Sequence, residues 1–236
     1  MLFIRHIAVS TVALLALGSA GVFASGGGSI GRPSGGSMDS SQSRSPEQLA
    51  VEAYNSGVRE LGKAKDHEAD AAKAANDEKK AKALDKAHKA YGYALDQFER
   101  AVDEDPGLYQ AWNYVGFCQR HLGDYESALT AYSHALEISP GYGEAVEYRA
   151  EALLGLNRIE DVKTDYMRLF RDVRPLAEEL MTAMHRWVDE RQHDAKGVSG
   201  EDLAAFAKWV EERTAVAQQT ASLTTGASTK PLGDWK

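Results

Sequence analysis

Two residue pairs stand at spacings that could start a metal site. His185 and Asp189 are four apart, which on a helix puts an imidazole and a carboxylate on one face, and His67 adjoins Glu68 in a charged tract. A zinc or calcium site needs further ligands, and neither pair has them. Both read as solvated surface residues, so no metal is expected. Serines gather in residues 25–43 and in the C-terminal tail, where no fixed base or oxyanion hole can form, so a hydrolase triad is unsupported. No phosphate-binding glycine loop adjoins a strand. The single cysteine, Cys118, can make no disulfide within the chain and lies in a helical apolar pattern, where a thiol acts as a small hydrophobe. The expectation is a chain without catalysis and without a cofactor. What remains is recognition by charge: Glu144, Glu147 and Glu151 are three and four apart and share one helical face.

The elements that must carry these residues are helices. The 236 residues are 43% hydrophobic, 26% charged and only 8% aromatic, with 6 prolines, a balance that favours helix over sheet. A net charge of -8 lacks the basic footprint of a general nucleic-acid-binding protein.

Residues 1–24 have a charged start at Arg5, an apolar run, and Val22-Phe23-Ala24 before Ser25, the pattern of a cleaved signal peptide. A retained membrane anchor is the alternative, although the run is short and interrupted by Ser10, Thr11, Gly18 and Ser19. The expected location is therefore outside the cytoplasm, periplasmic or secreted, with no stable membrane insertion after cleavage. Residues 25–44 are a Gly/Ser-rich stretch with little to bury, expected to be a disordered tether.

Structure is expected to begin sharply at Ser45, a candidate N-cap with Pro46 and Gln48 behind it. Leu49, Ala53, Tyr54, Val58 and Leu61 continue an apolar stripe, and small Ser56 and Gly57 allow a neighbour close. Residues 63–90 then consist almost wholly of Ala, Lys, Asp, Glu and His, with strong helix propensity but no evident core face. The apolar pattern resumes at Tyr91, Ala94, Phe98 and Ala101, and Asp105-Pro106-Gly107 stops it. Short connections at Leu122-Gly123-Asp124 and Gly155-Leu156-Asn157 divide residues 108–142 and 143–174 into two further helical hairpins. Residues 175–218 carry two more amphipathic helices, and residues 219–236 lose periodicity and are expected to be a disordered tail.

A period organises the middle of the chain. Ala128, Tyr132, Ala135 and Pro140 lie 34 residues after Ala94, Phe98, Ala101 and Pro106. The stretch Tyr109–Pro140 resembles the tetratricopeptide repeat family, whose W-x2-L-G-x2-Y, A-x3-F and P stand here as Trp112-x2-Val115-Gly116-x2-Gln119, Ala128-x3-Tyr132 and Pro140. Val115 departs conservatively and Gln119 plainly. Residues 143–174 form a degenerate copy, and residues 45–107 a first copy with about 25 extra residues centred near Asn76-Asp77. Divided evenly, the excess lengthens each helix by about 18 Å at 1.5 Å per residue, a projecting hairpin, with a disordered insert as the alternative.

The resemblance implies an all-α array of about three hairpins plus two C-terminal capping helices, acting as a protein-binding scaffold of the exported bacterial type. Gly57, Ala94, Phe98, Pro106, Trp112, Gly116, Ala128, Tyr132 and Pro140 would be packing residues. Asn113, Phe117, Arg120, His121, Glu144, Glu147 and Glu151 would line the concave face formed by the first helix of each unit. Carboxylates in the third unit favour a basic or neutral peptide as partner. Reversing Glu147 and Glu151 to Lys is expected to weaken a partner without unfolding the array. Two other roles remain open: oligomeric assembly through the charged hairpin or the C-terminal helices, and service as an accessory subunit of an envelope enzyme.

Overall fold

A capping box opens the first helix: the Gln48 backbone N–H donates to Ser45 Oγ, and the Ser45 N–H donates to Gln48 Oε1. From there the computed structural model, which describes residues 44–227, contains eight helices and no strand among the described residues. They are α1 (Pro46–Ala72), α2 (Asp77–Glu104), α3 (Tyr109–His121), α4 (Tyr125–Ile138), α5 (Gly143–Gly155), α6 (Ile159–Asp172), α7 (Arg174–His193) and α8 (Gly200–Ala227). The expected signal peptide, the tether up to residue 43 and residues 228–236 of the tail lie outside the described residues.

Consecutive helices pair as antiparallel hairpins, and each second helix packs on the first helix of the next hairpin, α2 on α3, α4 on α5 and α6 on α7. First helices also meet directly, α3 on α5 and α5 on α7, forming one continuous layer. The 34-residue period governs both ends of the helices: α3 and α5 start 34 apart, and α2, α4 and α6 end 34 apart. Burial repeats with it. Ala94, Ala128 and Val162 are fully buried, as are Phe98, Tyr132 and Tyr166 one turn later. A small residue opposite each ring closes the hairpin: a Cβ on Gly57 would stand 2.7 Å from Phe98, and one on Gly116 2.8 Å from Tyr132 and 3.0 Å from the Ala128 carbonyl.

The first hairpin is long on both arms. Its helices have 27 and 28 residues against 13 and 14 in the second, a difference of 14 per arm or about 21 Å at 1.5 Å per residue. Asn76 caps α2 by accepting from the Lys79 N–H at 2.9 Å, so the tip turns where the sequence places it. The absence of a core face in residues 63–90 needs correction. Ala50, Gly57, Ala64 and Ala71 recur every seven residues and are buried on α1, and Ala87, Ala94 and Ala101 do the same on α2. A seam of small side chains at this period lets two helices run close together for their whole length.

At the other end, the turns of the second and third hairpins need a left-handed residue at the same place. Gly123 has φ +88 and Asn157, 34 residues on, φ +58. Asn157 also ties its turn to the C-terminal pair, its Nδ2 donating to the Lys196 carbonyl at 3.0 Å. The Trp187 indole N–H donates to the Leu154 carbonyl at 2.7 Å, and Phe206 and Val210 of α8 complete the core around Leu180 and Met184. α8 continues to Ala227, so residues 219–227 are helical rather than irregular. No proline stands between Pro175 and Pro231 to stop it.

Candidate functional site

The layer of first helices is where the partner-binding residues are expected from the sequence, and most of these are buried or held by neighbouring side chains. Phe117 is buried beneath Tyr91 of α2, Tyr114 and His121 of its own helix, and Tyr148 of α5, with ring centroids 4.4 to 6.4 Å away. The Arg120 guanidinium lies 5.2 Å from the Phe117 ring and 5.8 Å from the Tyr148 ring, and pairs with Glu151 at 2.8 Å. Both charged side chains are nearly enclosed, 15% and 9% exposed, and Arg186 of α7 approaches Glu151 at 3.9 Å. Asn113 is 1% exposed and Glu147 0%.

The elongated hairpin explains the enclosure. α1 runs on well past the 13-residue length of α3 and brings Lys65 and Glu68 beside Phe117 and His121 of that helix. Glu68 meets His121 at 3.3 Å, Lys65 stands over the Phe117 ring at 5.6 Å, and Tyr91 stacks on His121 at 4.4 Å. Burial pushes the His121 imidazole below its ordinary value, and the Glu68 hydrogen bond pulls it only partly back. For Glu68, burial raises the carboxyl, but the hydrogen bond and charge of His121 outweigh it and hold the group below the usual range.

Of the seven residues expected to line this face, Glu144 alone is exposed. Phe117, Arg120, His121 and Glu151 do come together, but as one packed cluster rather than an open groove, and Asn113 and Glu147 are buried. The acidic half-groove is corrected accordingly: Glu151 is matched by Arg120 and Glu147 is interior, so neither offers a bare carboxylate to a ligand. Removing one member of a buried pair leaves the other charge stranded, at about 3–5 kcal/mol. Lys at 147 and 151 would therefore damage the fold, contrary to the expectation from sequence.

A different cluster remains accessible on the same layer. Tyr54 of α1, Tyr109 and Tyr114 of α3, and Tyr142 at the start of α5 are all half-buried. The Tyr54 and Tyr114 rings are 5.9 Å apart, and Tyr109 and Tyr142 meet edge to face at 4.9 Å. Burial first, and the Glu144 carboxylate second, raise the phenols of Tyr114 and Tyr142 above their ordinary value. Glu144 thus faces this cluster. Each tyrosine occupies a different place in its repeat, so no periodic motif marked them. The signal was compositional, 10 tyrosines against 6 phenylalanines in a chain poor in aromatics.

The residues suspected of chemistry have ordinary surroundings. His185 Nε2 lies 3.0 Å from Thr214 Oγ1, and no group of three metal-ligating side chains occurs among the described residues. Cys118 is buried, which pushes its thiol up, away from the reactive thiolate. No helix among the described residues is long and apolar enough to cross a membrane.

Residues 109–142, which are α3, α4 and the turn leading to α5, match the tetratricopeptide repeat family. No curated protein matches the chain. Among solved structures, the first tetratricopeptide domain of Spaghetti (RPAP3), bound to the HSP90 peptide SRMEEVD, is similar at 17% identity and a TM-score of 0.45, over 59% of this chain and 94% of that one.

Proposed function

We propose that this array, built around a tetratricopeptide repeat at residues 109–142, is a non-catalytic scaffold that holds a basic or neutral peptide against its first helices. The observation that carries this reading is the half-buried tyrosine cluster Tyr54, Tyr109, Tyr114 and Tyr142 beside the exposed Glu144. Tyrosine brings large contact area and a polar tip at little conformational cost, which suits an extended peptide, and Glu144 favours a positive charge at one end of it. The packed cluster around Phe117 and Arg120 limits how far along the layer such a peptide reaches. The scaffold works in the cell envelope or beyond it, a reading supported by the apolar run and the Val22-Phe23-Ala24 pattern of residues 1–24.

Selection of random peptides on the full chain tests the site without a known partner. Enriched peptides should be neutral or basic, and Tyr54→Ala combined with Tyr114→Ala should weaken them about tenfold or more. Glu144→Lys should shift the selected set toward acidic sequences. Selection of acidic peptides by the wild-type chain, or equal binding by the double variant, would sink the proposal.

A further inference from the structure

The outer edge of α2 carries a feature that peptide binding on the first helices does not use. Lys79, Lys82, Lys86, Lys89 and Tyr93 are all exposed and follow one another at intervals of three and four, so they form a straight line along the helix. The line is about 21 Å long at 1.5 Å per residue. It runs beside the buried seam of Ala87, Ala94 and Ala101 without overlapping it, because α2 packs chiefly on α1 and α3 from its other side. Between residues 77 and 93, lysines at 79, 80, 82, 86 and 89 stand against Asp77, Glu78 and Asp85, in a chain whose net charge is -8. Over these residues the α2 arm of the projecting hairpin thus carries a net positive charge on an acidic protein.

Two details set this line apart from scattered solvated lysines. Tyr93 is 63% exposed, more than any of the other exposed large apolar residues, Val51, Leu84, Ile138 and Met167, and it sits in register with the lysines. A tyrosine so placed supplies the amphipathic contact at which interfaces are enriched. The arm is also stiff, since both its helices are continuous and closed by a small-residue seam. Lys89 reaches sideways to Asp85 at 2.7 Å, an exposed pair that a stronger anionic contact would displace.

We infer that the Lys79–Tyr93 edge of α2 docks an acidic helix of a partner protein, one carrying carboxylates at three- and four-residue intervals along one face. A ligand that meets all four lysines must repeat negative charge along a straight line at the pitch of a helix, and a second helix laid alongside does so. The surface is separate from the tyrosine cluster, so an elongated first hairpin would give the scaffold a second, oppositely selective site.

Three synthetic helical peptides of equal length serve as probes in fluorescence anisotropy with the full chain at low salt. One carries glutamates along one face, one has the same composition with glutamates spread around the helix, and one replaces the glutamates with lysines. The face-patterned glutamate peptide should bind about tenfold more tightly than either of the others. Lys82→Glu, Lys86→Glu and Lys89→Glu together should remove most of that binding, and Tyr93→Ala should weaken it a few-fold, with circular-dichroism melting unchanged in each variant. Equal binding of patterned and spread peptides, indifference to the triple variant, or no binding at all overturns the inference. It is equally overturned if a single-stranded oligonucleotide or an anionic lipid vesicle engages the edge more tightly than the patterned peptide. Self-association in sedimentation that the triple variant abolishes would assign the edge to a second copy instead.

Discussion

At the scale of single residues, the decisive group is His121. It contacts Glu68 of α1 and Tyr91 of α2, and it feels Arg120 of its own helix and Glu151 of α5. Its imidazole is held below its ordinary value by burial, so as pH falls below about 6.5 the unfolded chain takes up a proton that the folded one resists. The stability it contributes is therefore complete above that pH and declines as pH falls toward the depressed folded value. Glu68 acts in the same sense at lower pH, its carboxylate favoured by the fold and lost as it protonates. We predict that wild-type melting temperature drops between pH 7.5 and 5.5 more steeply than that of His121→Gln. Parallel profiles would show that His121 does not set the slope. Sequence placed His121 among the partner-binding residues because its position in the repeat points toward the first-helix layer. It could not show that Glu68, 53 positions earlier, fills the space in front of it, because that contact depends on how far α1 runs.

At the scale of elements, the long hairpin rests on alanine. Large apolar side chains are the usual sign of a buried face, and residues 63–90 contain Leu84 alone, which the structure leaves 46% exposed. The real seam is the heptad line of buried Gly57, Ala64 and Ala71 on α1 and of buried Ala87, Ala94 and Ala101 on α2, readable in the sequence once small residues are counted as a packing signal. Ala71→Leu should overpack this seam and lower stability by about 1–3 kcal/mol, whereas Leu84→Lys should stay within about 0.5 kcal/mol. Chemical denaturation of the two variants distinguishes a seam from a solvated arm. If Ala71→Leu is neutral or stabilising, the helices are not held at close range there. The best-formed element, α3 with α4, was legible because Trp112, Gly116, Ala128 and Tyr132 stand at fixed positions: Ala128 and Tyr132 are fully buried, Gly116 admits no Cβ against Tyr132, and the half-buried Trp112 donates its indole N–H to the Pro106 carbonyl at 3.0 Å.

At the scale of the whole molecule, a repeat array needs its open ends covered, since each unit buries its apolar face only against a neighbour. α7 and α8 do this for the third unit through Leu180, Met184, Trp187, Phe206 and Val210, each worth about 1.5–3 kcal/mol of burial. A chain ending at Val173 should therefore melt on the order of 10 °C lower than the full chain, measured by circular dichroism. A shift of less than about 2 °C would mean that α7 and α8 are appendages. The sequence by itself determined the helical class and the 34-residue period, because these follow from local propensity and from small residues recurring where helices must touch. Only the tertiary structure decided which side chains of the first-helix layer remain available. Arg120, His121, Glu147 and Glu151 look like a binding surface while each is read on its own helix. Once α1, α3, α5 and α7 are side by side, Arg120 pairs with Glu151, His121 meets Glu68 and Glu147 is buried, so of the residues expected on this face Glu144 alone stays exposed.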